Sequence, residues 1–184
     1  MDSEQKLSNV TELYIRKYNQ ILDTLISETS RAPLSRSISS NFITQITFLQ
    51  QASIEMSKNI LKYTICIPLQ NIALNIIKEQ TRNISTLKNI TADCRRYENR
   101  SREIMYYQKN FNQIFRNMIS KSRNLTVVNS VDQNFVSEII LHYECEIKMF
   151  ENLLRFKINP ELRKISQHLV VFHKNRIKEI NSCL

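Results

Sequence analysis

The sequence predicts an all-α protein: a four-helix bundle built from two duplicated helical modules, with additional N-terminal and linking helices, five or six helices in total. Three observations carry this expectation. The 184 residues include no Gly and only three Pro, at Pro33, Pro68 and Pro160, so few positions force a helix to stop. Apolar residues recur at helical spacing along almost the whole chain. The chain also aligns with itself, ungapped, at an offset of 93 residues. Tyr14 falls on Tyr107, Asn41-Phe42 on Asn134-Phe135, Ile54 on Ile147, Met56 on Met149 and Asn59 on Asn152. So long a period lies outside the roughly 20–50 residues of solenoid repeats. It reads as one domain, residues 1–184, whose two copies (5–88 and 98–181) share a core.

The elements follow in order. Residues 5–29 carry an apolar stripe through Leu7, Val10, Leu13, Tyr14, Tyr18, Ile21, Leu22 and Leu25. Segment 30–37, with Pro33 and several Ser, reads as a loop. Ser39 or Ser40 then caps a helix to about Tyr63, with Phe42, Ile46, Leu49, Met56 and Ile60 on its apolar side. Pro68 suits the first turn of the next helix, which runs to about Lys88. The second copy repeats the plan, with helices over 94–121, about 130–157 and, from Asn159-Pro160, to about Asn181. Residues 88–103 hold neither Gly nor Pro, so two readings stay open there: one continuous rod from 68 to 121, or a break.

Composition excludes several chemistries. A phosphate-cradling P-loop, a dinucleotide-binding turn and a G-x-S-x-G elbow all require Gly, and the chain has none. Cys66, Cys94, Cys145 and Cys183 form no C-x-x-C pair, which argues against a zinc knuckle and for reduced thiols. The start of the chain, MDSEQKLSNV, is polar and acidic, unlike a secretory signal, so a cytoplasmic location is expected. No apolar run reaches the roughly 18 residues of a membrane span. The sequons at Asn9, Asn83, Asn89 and Asn124 then read as incidental to an Asn- and Ser-rich composition.

The net charge is +9. Basic residues concentrate in 93–123, with Arg95, Arg96, Arg100 and Arg102 at its head. A solvated helix face is the plain reading of such a run. A surface for nucleic acid or an anionic membrane is the sharper one. Tyr97, Tyr106, Tyr107, Phe111 and Phe115 are interleaved with these cations, but the four-residue spacing of Tyr107, Phe111 and Phe115 is that of core residues.

Residues 132–154, DQNFVSEIILHYECEIKMFENLL, and 158–180, INPELRKISQHLVVFHKNRIKEI, resemble the bacterial family known as domain of unknown function 305, within the ferritin-like superfamily. That family's module reads D-x-x-F, then M-I-x-H-H-x-x-A-I-x-M-A, and is often carried twice. The resemblance implies a helical bundle, and in some members an association with copper or other metals through the His-His and Met positions. Here His-His becomes Leu49-Gln50 in the first copy and His142-Tyr143 in the second. The Met is kept as Met56 and Met149, and a family Gln is Gln80 in one copy and His173 in the other.

In the second copy His142, Cys145 and Met149 stand at i, i+3 and i+7, on one face of one helix. His173 lies on the next helix, and the turn at Asn159-Pro160 is expected to bring it beside them. Imidazole, thiol and thioether donors together suit Cu(I) or Zn(II). The same residues are also ordinary core residues. The first copy offers Leu49, Ala52, Met56 and Gln80, which bind no soft metal. A di-iron centre would use Glu-x-x-His, which is absent. The expected function is therefore a non-enzymatic binding or structural bundle with its ligand positions mostly lost and no cofactor. Copper binding through the second copy, and polyanion or membrane-surface binding through 93–123, are the alternatives. Self-association is left open.

Overall fold

The computed structural model describes residues 6–182, and among these it is all helical. The helices are α1 (Asn9–Arg31), α2 (Ile38–Ile60), α3 (Ile67–Asn89), α4 (Thr91–Arg95), α5 (Ser101–Arg123), α6 (Val131–Leu153) and α7 (Pro160–Asn181). Among the described residues six are long, in keeping with the expected five or six, and the seventh, α4, is one short turn of helix in the linker. Start signals match local chemistry. Ser8, Ser37 and Ser130 each accept a hydrogen bond from the backbone N–H three residues on. Asn159 caps α7 ahead of Pro160, whose missing N–H is harmless there. With no Gly, the described chain has no residue at positive φ. Its helices therefore end in right-handed or extended caps rather than the left-handed glycine cap.

α2 and α6 lie side by side at the centre. α1 and α3 pack on α2, while α5 and α7 pack on α6. Both central helices are buried around most of their circumference, through Phe42, Ile46, Leu49 and Met56 on one and Phe135, Ile139, Met149 and Phe150 on the other. Phe42 meets Phe150 with ring centroids 5.0 Å apart. α3 and α7 touch through Arg176, which pairs with Glu79 across the interface and with Glu179 on its own helix.

Corresponding contacts recur 93 residues apart. Asn41 accepts from Ser35 N and donates to Ser35 O, as Asn134 does with Val128. Asn59 donates to the Tyr14 carbonyl at 3.0 Å, and Asn152 to that of Tyr107 at 3.3 Å. Among the bonds that cross between the halves, Tyr14 donates to Glu138 (2.5 Å) and Tyr107 donates to Gln45 (2.7 Å).

Of the two readings left open over 68–121, the structure adopts the break. α3 ends at Asn89, and the helical path is lost between Arg96 and Arg100. Asn99 is the reason. Its N–H donates to Arg36 O, its Oδ1 accepts from Ile38 N, and its Nδ2 donates to Lys157 O. Ser37 also donates to the Cys94 carbonyl at 2.6 Å. These contacts pin the linker against the starts of α2 and α7. The second helix of each copy also stops three or four residues early, at Ile60 and Leu153. After α6, Arg163 takes up the Leu154 and Phe156 carbonyls.

Candidate functional site

Because α6 is central, two adjacent stripes of it point inward. His142, Cys145 and Met149 form one, and Tyr143, Glu146 and Phe150 the other. All six are buried. α7 brings His173 onto the second stripe. Its ring lies 4.9 Å from that of Tyr143 and 5.8 Å from that of Phe150, and its Nδ1 is 3.5 Å from Glu146 Oε2. Cys145 instead faces α5, where it lines a hollow of about 250 Å³ with Ile114, Met118, Lys121 and Lys148. His142 sits within the core, and neither of its ring nitrogens has a hydrogen-bond partner. Of the four residues picked out by spacing, Cys145 thus faces α5 while His173 lies on the other stripe. Among the described residues, no group of three or more His, Cys, Asp and Glu is placed to hold a metal ion.

The interior polar centre is one the spacing argument passed over. Glu146 accepts from Ser53 Oγ at 3.3 Å and from Gln80 Nε2 at 3.4 Å, with His173 alongside. Ser53 and Glu146 occupy equivalent positions, 93 residues apart, so they meet where α2 and α6 face each other. The 93-residue offset holds a signal for this pair, since it aligns Ser53 with Glu146.

Burial decides the protonation of this centre. The Glu146 carboxyl is pushed up to about 8 by desolvation, with the bonds from Gln80 and Ser53 pulling the other way. Burial lowers His173 to about 3, helped by the Arg176 guanidinium, and lowers His142 to about 4. Near neutral pH the centre therefore holds a carboxylic acid beside a neutral imidazole rather than an ion pair. The Cys145 thiol is also pushed up by burial, which keeps it protonated and a poor metal ligand or nucleophile.

Arg95, Arg96, Arg100 and Arg102 are all exposed, spread over the end of α4, the linker and the first turn of α5. Arg96 lies 3.7 Å from Asp93, both largely in solvent, a pair worth little. Of the interleaved aromatics, Tyr107 and Phe111 are core and Phe115 stacks on Phe111, while Tyr106 is exposed.

Residues 39–184, from the first turn of α2 through α7, match the family described as Domain of unknown function (DUF305). The chain belongs to the DUF305 family. The match spans both α2–α3 and α6–α7, so the DUF305 region includes both central helices and the Glu146 centre. No curated protein and no solved structure matches the chain. Among the described residues, no helix is long and apolar enough to cross a membrane.

Proposed function

We propose that this DUF305 protein is a non-enzymatic binding or structural bundle, made of two tandem modules in a ferritin-like arrangement, whose interior holds its two halves together in place of a metal. One observation carries the reading. Ser53 and Glu146, equivalent positions of the two copies, are joined by a hydrogen bond at the centre, and Gln80 of the first copy grips the same carboxyl. A side chain committed to a cross-module bond is not free to serve a ligand. The acid–imidazole pair Glu146–His173 has the elements of proton-transfer chemistry, but both side chains have no solvent exposure, so a substrate has no route to them. Cys66, Cys94 and Cys145 are free thiols, which fits a reducing compartment such as the cytoplasm.

Copper binding through His142, Cys145, Met149 and His173 is the rival reading. The partnerless ring nitrogens of His142 favour it. The separation of Cys145, on the α5 side, from His173, beside Tyr143, weighs against it. Titration with Cu(I) under reducing conditions separates the two, because a ligand that prefers the native state raises the melting temperature. The structural reading expects no rise and only trace metal in untagged protein. Stoichiometric copper, with a rise abolished by Cys145→Ser and His142→Ala, would overturn it.

A further inference from the structure

We infer that the outer face of α5 is a docking ridge for nucleic acid, contacting the phosphodiester backbone without reading sequence. Arg102, Lys109, Arg116 and Arg123 follow one another at seven-residue intervals, and all four are exposed. Seven residues are two turns of helix with a drift of only about 20°, so the four cations form a nearly straight row. The row runs about 30 Å along the ridge at 1.5 Å of rise per residue. No Asp or Glu lies on the strip between them; its other exposed members are Met105, Tyr106, Gln113 and Ser120. Arg123 is paired with Asp23 at 3.2 Å in full solvent, while Arg102, Lys109 and Arg116 take part in no ion pair among the described residues.

The row is not a by-product of the repeating sequence. The corresponding positions of α1 are Asn9, Arg16, Asp23 and Ser30, which carry no net charge. Only the second copy carries a cation at all four places, and all four are exposed. Further cations stand past the start of α5, there interspersed with the exposed Asp93 and Glu98. Asn99 bonds to Arg36 O and Lys157 O, which gathers the exposed residues Arg36, Arg95, Arg96, Arg100 and Lys157 from three segments around that end of the bundle.

The chemistry between the cations selects the class of partner. A shallow hollow of about 510 Å³ is lined by Lys109, Asn112, Gln113, Arg116 and Asn117, two cations and three amides without a carboxylate. Amide and guanidinium groups are the usual donors to phosphate oxygens. An anionic membrane would instead be met by a basic face flanked by several apolar side chains able to enter the lipid. Apart from Met105 and Tyr106 at one end, the ridge offers none.

Fluorescence anisotropy with a labelled duplex of about 20 base pairs, and with a single-stranded RNA of similar length, tests this on the intact protein. Binding is expected at low salt, weakening log-linearly with salt by roughly 0.7–0.9 per phosphate contacted. The triple variant Arg102→Gln, Lys109→Gln, Arg116→Gln is expected to lose at least tenfold in affinity and about two or three units of salt slope. The variant Lys62→Gln, Lys78→Gln, Arg82→Gln removes the same charge from exposed sites elsewhere. It is expected to bind within about twofold of the unmutated protein. Circular dichroism should show both variants folded, since none of the six side chains is buried. Equal weakening by the two variants would reduce the effect to net charge and overturn the ridge. So would no binding to either nucleic acid at low salt, or binding to phosphatidylserine vesicles alone.

Discussion

Glu146 and Glu138 differ from their counterparts Ser53 and Gln45 in one respect that matters energetically: each places a carboxyl where water does not reach. Burial raises Glu138 to about 8, as it does Glu146, although the Tyr14 hydroxyl favours the ionised form. A carboxyl raised in the folded state favours folding fully below its unfolded pKa near 4.5. That contribution is lost as pH climbs toward 8. Glu146→Gln keeps the shape and removes the titration. It should therefore match the unmutated protein near pH 5 and exceed it at pH 8.5 by about 2–4 kcal/mol, at 1.36 kcal/mol per pKa unit. Thermal melts at the two pH values check this; an equal loss at both would show that the carboxyl itself is required. Tyr14→Phe leaves the buried Glu138 without its donor and should cost about 1–3 kcal/mol. A denaturant titration of Tyr14→Phe, Glu138→Gln and the double variant isolates the pairwise part.

The helices themselves are set by local signals. Serine caps open three of them, Asn159-Pro160 opens α7, and apolar spacing gives each its inward side. The linker is different. Nothing in residues 90–100 breaks a helix by composition, and the break is imposed by the three bonds of Asn99 to Arg36, Ile38 and Lys157. Asn99→Ala should cost about 1–3 kcal/mol, because the Ile38 N–H and the Lys157 carbonyl lose their partners together. Hydrogen exchange should speed up at Ile38 and Asn99 while the middle of α2 stays protected. Unchanged exchange at Ile38 would mean that the pin is not what holds the linker.

Across the whole molecule the buried acids and the buried histidines oppose one another with pH. Two carboxyls raised to about 8 make stability fall with pH from about 4.5 to 8. Two histidines lowered to about 4 and 3 make it rise with pH up to about 6.5, since the unfolded chain then binds the protons that the folded one refuses. The opposing slopes cancel between about 4.5 and 6.5. The expected profile is a plateau over that range and a decline of melting temperature from about pH 6.5 to 8. A maximum above pH 8 would contradict the protonation states assigned to the centre. The same shared core makes the halves interdependent. Phe150→Ala removes a fully buried ring that meets Phe42 of the other half, and should cost about 3–5 kcal/mol. The loss should appear in a single transition, as seen by calorimetry.

What the sequence by itself determined is the helical class, most of the helix starts and the burial of the apolar stripes. Capping and periodicity are local, so each can be read from a few neighbouring residues. The alignment at 93 also placed Asn59 with Asn152 and Tyr14 with Tyr107, pairs that make equivalent bonds in the fold. Spacing put His142, Cys145 and Met149 on one stripe of α6, but the expectation that this stripe faces His173 fails at Cys145. Only the packing of α5 and α7 on either side of α6 decided that Cys145 turns toward α5 and that His173 meets Tyr143 and Glu146. The break at Asn99, and the joining of Ser53 to Glu146, depend on groups tens of residues apart in the chain. Such bonds arise from tertiary contact, and periodicity along one helix carries no information about them.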